Sequence, residues 1–274
     1  ELARRPGTPL GVVTFEPHPR EVFAPDAPPF RLMNAEARAN RLHKIGVREL
    51  FELPFDQSLS GLAPEAFARE VLAGGLGLSH VVVGADFRFG RGRAGNAEDL
   101  RRLGDSFGFG VTVAELVQAG GIEISSTAIR NALSEGRPRE AKEMLGHWHR
   151  IEGEVIHGAK RGRGLGYPTA NMSLGGLHLP RFGVYAVLVD VLGGPHAGAY
   201  HGAASLGVRP MFGGGAQPNL ETYLFDFSGD LYGRHLSVAL VEYLRPELRF
   251  DSLEALVARM AEDCAGARAI LAAT

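Results

Sequence analysis

One short stretch in the second half of the sequence combines glycine, positive charge and oxygen-bearing side chains. Residues 158–166 read Gly-Ala-Lys-Arg-Gly-Arg-Gly-Leu-Gly and follow an apolar, strand-like run. The glycines allow the backbone to turn several N–H groups toward one anion, and Lys160, Arg161 and Arg163 add positive charge. The stretch favours a phosphate-binding loop. Its composition is equally typical of a solvated Gly-Arg loop, and it lacks the Gly-Lys-Ser/Thr ending of a Walker motif.

Two oxygen donors follow this loop directly. In the segment Tyr-Pro-Thr-Ala-Asn at 167–171, Pro168 restrains the backbone, and Thr169 and Asn171 are two residues apart. Residues with this spacing point to one face of an extended chain. A hydroxyl and an amide oxygen on one face suit Mg²⁺, which takes its other ligands from water and substrate phosphates. Thr169 and Asn171 therefore suit a role as ligands of a Mg²⁺ ion that also binds substrate phosphates.

A phosphate-binding loop next to a Mg²⁺ site would suit transfer of a phosphoryl group. If the acceptor is an alcohol, such a kinase also needs a group that accepts the hydroxyl proton. Glu221, in the strand-like sequence Leu-Glu-Thr-Tyr-Leu-Phe, is the best candidate for this base. Its alternating apolar neighbours place the carboxylate either in solvent or at the mouth of a barrel, and the residues alone leave both alternatives open.

Three segments of the first half place polar groups at the ends of strands or helices. Residues 125–130 put hydroxyls at the start of a helix and an arginine one turn later, which suits phosphate binding but equally a plain N-cap with a surface arginine. Residues 84–90 and 15–19 follow predicted strands, where open α/β sheets bind ligands. The candidate binding residues are Pro17, His18, Asp86, Phe87, Arg88, Ser125, Ser126, Thr127 and Arg130.

The elements that must position these residues differ between the two halves. The first half alternates apolar runs with helical patterns, which predicts a parallel sheet covered by helices in a Rossmann-like α/β domain. Predicted strands are 10–15, 49–53, 80–84 and 110–116, and predicted helices lie near 35–45, 64–73, 97–107, 127–135 and 138–145.

From residue 151 the pattern changes to alternation without helices, which favours a small antiparallel barrel. Predicted strands are 151–157, 183–191, 200–206, 220–227 and 235–244. A final helix should begin with a capping box of Asp251 and Glu254. Its apolar stripe, which we expect to be core, comprises Leu253, Leu256, Val257, Met260, Cys264 and Leu271. The predicted domains are 1–148 and 149–274.

Composition excludes several classes of function. The net charge of the 274 residues is −2, so nucleic acid is not an expected partner. A single cysteine excludes a disulfide framework and favours the cytoplasm, and no segment predicts a membrane span or a signal peptide.

The chain begins without Met at an apparent strand, so we expect a fragment. His147 and His149 could be read as a metal pair, but without a third ligand nearby a linker is the favoured interpretation.

The second half resembles the riboflavin kinases in an ordered set of motifs over nearly all of residues 151–271. The set runs through Gly153, Val155 and Gly158, the 167–171 segment, Gly-Val-Tyr at 183–185, Gly-Val-Arg-Pro at 207–210, Glu221, the 226–233 segment and the 243–254 segment. Two departures are Tyr167, where that family usually has Phe or Ile, and Met211, where it generally has Thr.

This resemblance implies a six-stranded barrel that phosphorylates riboflavin to FMN with Mg-ATP. It implies that Thr169 and Asn171 bind Mg-ATP, that Glu221 is the base toward the ribityl 5′-hydroxyl, and that Arg245 and Phe250 belong to a segment closing over the flavin. The implied ATP contacts are Gly158, Lys160, Gly162, Arg163, Gly166 and Pro168.

The first half resembles the FMN adenylyltransferase half of bacterial bifunctional FAD synthetases, which carry a kinase barrel behind it. The resemblance rests on the 15–19, 84–90 and 125–130 segments in order. That family begins with Gly-x-Phe-Asp-Gly-x-His-x-Gly-His, whose histidines stabilise the ATP phosphates, and this sequence contains no such stretch. We expect the missing piece upstream in the gene, so that the complete protein converts FMN to FAD.

The sequence also has to be compared with functions other than the bifunctional enzyme. One is a monofunctional riboflavin kinase whose first half is inactive or senses a flavin or nucleotide. A non-catalytic sensor should have lost Glu221, Thr169 or Asn171, and all three are present. An RNA-binding protein should carry a wider basic face with aromatic platforms than one cluster at 160–163. The expected partners are small molecules, and a homo-oligomer is compatible with the sequence.

Overall fold

The computed structural model describes residues 8–115, 118–119, 122–158, 161–210 and 216–274. The chain divides into two compact units. The first comprises Glu1–Ala27 and His43–Glu123, and the second comprises Pro28–Leu42 and Ile124–Thr274. The second unit therefore takes in a segment from near the start of the chain, whereas the functional domains predicted at 1–148 and 149–274 stay a prediction.

The first unit contains parallel strand pairs, as the alternating pattern predicts. Strand β1 pairs with β2 and strand β3 pairs with β6, both in parallel, while the short strands β4 and β5 pair antiparallel. The strands are β1 Gly11–Glu16, β2 Glu49–Pro54, β3 His80–Gly84, β4 Arg88–Phe89, β5 Gly95–Asn96, β6 Gly110–Ala114, β7 Gln118–Ala119 and β8 Ile122–Glu123. Strands β7 and β8 form a separate antiparallel pair.

Helices of this half follow local signals. Helix α5 begins after an Asn96 cap and ends at Gly108, whose φ of 84° is left-handed. The predicted helix at 64–73 is instead one α-helical turn that continues as a π-helix, Phe67–Gly75. The α-helices are α1 Pro19–Phe23, α2 Ala35–Lys44, α3 Gln57–Ser60, α4 Pro64–Ala66 and α5 Ala97–Phe107, and a 3-10 turn spans Arg91–Arg93. A core of Phe67, Leu72, Phe89, Leu100 and Leu103 holds the first unit together.

In the second unit, helices α6 (Ser126–Ser134) and α7 (Pro138–Leu145) pack around Ile129, Leu133 and Met144. The 28–42 segment is tied into the same unit through its backbone and an amide. Arg31 forms a bridge with Leu177, and Asn34 Nδ2 donates to the Glu152 carbonyl at 2.9 Å. No periodicity in the sequence indicates this attachment, because it depends on isolated polar contacts.

Six antiparallel strands form the predicted barrel in the spatial order β10-β13-β12-β11-β14-β9. They are β9 Arg150–Glu154, β10 Ala170–Ser173, β11 Gly183–Val191, β12 Gly198–Pro210, β13 Ala216–Leu224 and β14 His235–Arg245. Just beyond β9, Ile156 N donates to Asn171 O at 2.8 Å, which links the two edges of the sheet. The sequence patterns missed strand β10, which is only four residues long. Between β9 and β10 lies the short helix α8, Arg161–Gly164.

Apolar side chains fill the barrel interior. The fully buried ones include Met172, Leu206, Leu220, Leu236 and Leu240. At about 25 cal/mol per Å² of apolar surface removed from water, such side chains are the main stabilising term of this unit. The strands therefore have an apolar inner face and are free to carry polar residues on the outer face.

Helix α9, Leu253–Leu271, packs on the outside of the barrel against strands β11, β12 and β14. Two expectations about it were wrong. Its N-cap is Ser252, whose hydroxyl accepts from Ala255 N, rather than Asp251. Leu253 is 56% exposed rather than core, because the face that contacts the barrel is instead centred on Asp263, Ala267 and Leu271.

The histidines near residue 148 belong to the second compact unit, so the segment is not a linker between units. His149 is 2% exposed, and its Nδ1 has no hydrogen-bond partner among the residues that the structure describes. Burial, with smaller contributions from His178 and His147, lowers the pKa of His149 to about 4. Within the described ranges, no three His, Cys, Asp or Glu side chains are grouped to hold a metal ion.

The buried His149 predicts a pH-dependent stability. The unfolded chain binds a proton near the ordinary pKa of histidine, whereas the folded chain does so only near pH 4, so stability falls as the pH drops through this window. Between pH 7.5 and 5, wild type should lose about 2 kcal/mol more than His149→Gln. Urea unfolding followed by fluorescence of Trp148, the one tryptophan, measures the difference. Parallel pH dependence in both proteins would contradict this origin.

Candidate active site

Strands β10 and β13 bring the predicted metal ligand and the predicted base to the same face. Asn171 and Glu221 are direct partners in the antiparallel register. Their neighbours Ala170, Met172 and Leu220 belong to the core inside the barrel. Because side chains alternate along a strand, Asn171 and Glu221 lie on the outer face. The two alternatives for Glu221 were solvent and the mouth of the barrel. The structure gives a half-buried position beside Asn171 on the outer face, so the carboxylate is not fully exposed to solvent.

A third polar side chain, which the sequence patterns missed, joins this pair. Asn219 is 7% exposed, and its Nδ2 donates to Asn171 Oδ1 at 3.0 Å and to Glu221 Oε1 at 3.3 Å. Its spacing of two residues from Glu221 on a strand was the available signal, since it places both on one face.

The Asn171 amide is held on several sides. It is 5% exposed, and its Nδ2 donates to the Thr169 carbonyl at 3.3 Å. With Nδ2 used in this way and Oδ1 accepting from Asn219, the amide has one defined orientation. An amide oxygen has two lone pairs, so Oδ1 keeps one for a ligand.

Gly158 begins the predicted phosphate loop directly against Asn171. A Cβ on Gly158 would lie 2.4 Å from Asn171 Nδ2 and 2.7 Å from Oδ1, so only glycine fits. Gly162 approaches the Tyr167 carbonyl equally closely, and its own carbonyl accepts from Tyr167 N at 2.9 Å. Gly166 has a left-handed φ of 85°. Glycine is therefore required at these positions for close approach and for backbone conformation.

The charged part of the loop is only partly visible. Lys160 lies outside the described residues, as do Met211 and the side chains of Arg161 and Arg163. The backbone of Arg163 lies in helix α8. After it, Pro168 is exposed, Thr169 is half-buried, and Tyr167 packs edge-to-face on Tyr223 at 5.2 Å. The hydrogen bond from the Asn171 amide to the Thr169 backbone carbonyl keeps the two residues close together at the start of β10.

Arg245 is engaged with helix α9. Its Nε donates to Asp263 Oδ1 at 2.9 Å and its Nη2 to Oδ2 at 2.6 Å, with the two side chains 10% and 7% exposed. The guanidinium also lies 5.9 Å from the centre of the Phe250 ring. A buried, two-pronged ion pair holds the start of the 245–250 segment on the helix. Nearby, burial raises the pKa of the Cys264 thiol, in keeping with a packing role.

Candidate residues in the first unit lie beyond strand ends, as predicted. Pro17 and His18 follow β1, and His18 caps helix α1, with its Nδ1 accepting from Arg20 N at 3.1 Å. Asp86, Phe87 and Arg88 follow β3, where Phe87 N donates to the Gly84 carbonyl and Phe87 stacks on Phe89. Asp86 and Arg88 are exposed.

The remaining candidates surround the start of helix α6 in the second unit. Ser125 is the N-cap, and its hydroxyl accepts from Ala128 N at 3.2 Å. Ser126 and Thr127 are exposed in the first turn. Arg130 folds back one turn, so that its Nη2 donates to Thr127 Oγ1 at 3.2 Å. The hydroxyls and the arginine are thus grouped at the positive end of the helix.

Comparison with known proteins matches each half of the chain to a family model. Residues 145–271 match the family model for riboflavin kinase, and residues 1–128 match that for FAD synthetase. Among curated proteins, the chain is 43% identical over 272 residues to a bifunctional riboflavin kinase/FMN adenylyltransferase of Pseudomonas fluorescens, covering 99% of this chain and 86% of the relative. Identity to proteins of the same name is 40% in Escherichia coli K12, over 96% of this chain and 83% of the relative, and 35% in Listeria monocytogenes, over 99% and 85%.

A solved structure also resembles the chain along most of its length. It is a crystal structure described as a macrolide-efflux protein from Streptococcus pneumoniae, with a TM-score of 0.81 and 33% identity, covering 96% of this chain and 84% of that one. Efflux is a description of that protein. Among the residues described for this chain, no helix combines the length and apolar character needed to cross a membrane.

Gly158 provides a test of the loop. Gly158→Ala should weaken binding of Mg-ATP at least about tenfold, because the new methyl group overlaps the Asn171 amide and moves it. Calorimetric titration measures the dissociation constant. Gly164→Ala is the matched control, since its Cβ enters open space. Equal affinities in the two variants would show that contact with Asn171 is unimportant.

Proposed function

This chain belongs to the family of bifunctional riboflavin kinase/FMN adenylyltransferases, and we propose that its second half phosphorylates riboflavin to FMN while the first half serves adenylylation of FMN to FAD. ATP is the co-substrate of both reactions. The observation that carries the kinase assignment is the pairing of Asn171 with Glu221 on the outer face of the barrel, beside the glycine loop. A sensor protein would have no need to keep this group.

Glu221 is the proposed general base. Its Oε1 accepts a hydrogen bond from Asn219, which leaves Oε2 for the 5′-hydroxyl of riboflavin. As the hydroxyl oxygen attacks the γ-phosphorus of ATP, its proton passes to the carboxylate and ADP leaves. In this step the protein mainly has to position the reacting groups, and it forms no covalent bond with them. Strands β10 and β13 provide this positioning.

Mg²⁺ fits the donors present here. The Thr169 hydroxyl and Asn171 Oδ1 are neutral oxygens, the ligand type this ion uses together with water and phosphate. We propose that these two residues hold the ion. When bound, it neutralises charge that develops on the phosphates. The loop residues Gly158, Gly162, Gly166 and Pro168, with Lys160 and Arg163, are the proposed phosphate contacts.

Flavin contacts are proposed for the 245–250 segment. Phe250 offers a ring that can pack on the flavin. Because the Arg245 guanidinium is already paired with Asp263, its proposed role is to hold this segment in place.

For adenylylation, the proposed binding residues occupy three segments. The start of helix α6, with Ser125, Ser126, Thr127 and Arg130, suits a phosphate group. Pro17, His18 and the 86–88 segment follow strand ends, where nucleotides bind in open α/β sheets. The Gly-x-Phe-Asp-Gly-x-His-x-Gly-His stretch is not in this sequence, so the proposed adenylylation contacts are confined to these three segments.

The proposal also covers location and partners. The single cysteine fits the reducing cytoplasm, and small molecules are the proposed partners rather than nucleic acid or membrane. A homo-oligomer stays a prediction.

Incubation of this chain with riboflavin, ATP and Mg²⁺ tests the assignment. Chromatographic separation of the flavins should show FMN formation with little FAD, because phosphate stabilisation by the histidine loop is absent from the sequence. No FMN would remove the kinase assignment. Rapid FAD formation would show that this chain carries a complete adenylylation site.

Replacing Glu221 tests the base. Glu221→Gln keeps the size and the acceptor oxygen but cannot take up a proton, so kcat should fall by about 10²- to 10⁴-fold while the Kd for Mg-ATP stays nearly the same. Glu242→Gln on strand β14, which removes an exposed contact with Arg139, is the control and should keep normal turnover. Normal turnover of Glu221→Gln would exclude this residue as the base.

A further inference from the structure

The outer face of strand β13 carries a buried amide that no part of the proposed chemistry uses directly. Asn219 is 7% exposed, and the two hydrogens of its single NH₂ group go to different partners. One partner is Asn171 Oδ1, the proposed metal ligand, and the other is Glu221 Oε1, the proposed base. We propose that Asn219 is a positioning residue that sets the metal-ligand oxygen and the base carboxylate relative to each other. This inference rests on the proposed kinase function.

The direction of the hydrogen bonds follows from the partners. A carboxylate offers acceptors only, and Asn171 directs its own NH₂ group to the Thr169 carbonyl, which leaves Oδ1 facing Asn219. If the Asn219 amide were turned over, its oxygen would face two acceptors. Asn219 is therefore locked as a donor, and the Asn171 amide is locked with its oxygen toward the site.

The arrangement leaves the reactive lone pairs available. Asn171 Oδ1 uses one lone pair for Asn219 and keeps the other, and Glu221 keeps Oε2. Gly158 closes off the Asn171 amide within van der Waals distance, so rotation would require the loop to move. Within the described part of the chain, loss of Asn219 would leave the Asn171 amide with its longer hydrogen bond to the Thr169 carbonyl, at 3.3 Å.

Two variants separate donation from packing. Asn219→Asp has the same shape but presents oxygens where the NH₂ group was, and Asn219→Leu removes the donors and keeps a similar volume. Both should lower kcat for FMN formation by about 100-fold, as expected when reacting groups are misplaced by about 1 Å, with the KM for riboflavin nearly unchanged. Gln217→Leu, an exposed amide on the same face of the same strand, is the matched control with near-normal kcat.

Binding without turnover gives an independent readout. In calorimetric titrations without riboflavin, Asn219→Leu should bind Mg-ATP about tenfold more weakly with unchanged stoichiometry, because Asn171 is no longer held. Partial unfolding would instead lower the stoichiometry at constant Kd. That result, or a kcat of Asn219→Asp close to wild type, would overturn the positioning role.

The experiment distinguishes this inference from the function on which it rests. If wild type forms no FMN, the proposed function fails. If wild type forms FMN and the Asn219 variants match it in kcat and Kd, only the positioning role fails.

Discussion

The antiparallel pairing of the short strand β10 with β13 is the constraint on which the kinase site depends. Its register places Asn171 opposite Glu221, and β10 is held on its other edge by the Ile156–Asn171 hydrogen bond. A slip of one residue would turn Asn171 into the apolar barrel and bring Met172 out. Because Met172 is completely buried, hydrophobic packing inside the barrel fixes the position of the polar group outside it.

The polar side chains around this strand pair are buried, and the hydrogen bonds that they form with one another offset the free-energy cost of losing water. Burying an amide without a hydrogen-bond partner costs about 1–3 kcal/mol. Here Asn219 donates to Asn171 and to Glu221, and Asn171 donates to the Thr169 carbonyl. Arg245 and Asp263 follow the same rule on helix α9, where an ion pair replaces solvent. Each of these polar groups is therefore oriented by the hydrogen bonds of its neighbour.

Periodicity was sufficient for the parts of the fold that contain long, regular elements. Strands β3 and β11 and helix α5 have the predicted bounds, and the change from mixed α/β pattern to alternation marks the barrel. The sequence patterns did not predict strand β10, because four residues are too few to establish a period. Its strand conformation depends on pairing with β13, fifty residues further along the chain. The sequence patterns also did not predict Asn219 as a site residue, because the hydrogen bonds of an amide in a strand depend on its neighbours across the strand pair. The attachment of 28–42 and the Arg245–Asp263 pair likewise join distant parts of the chain, which local patterns do not report. Residue type and motif predict Thr169, Asn171 and Glu221 as site residues, but the common face of Asn171 and Glu221 became visible only from the strand register.

The alternation along β10 and β13 separates two kinds of evolutionary pressure within the same few residues. Ala170, Met172 and Leu220 pack inside the barrel, whereas Asn171, Asn219 and Glu221, which alternate with them, lie on the outer face where we propose the kinase site. Exchanges among apolar side chains inside can accumulate as long as volume is kept, without presenting any new group to the substrate. Temperature adaptation and substrate preference in this domain can therefore change independently, each on its own side of one sheet.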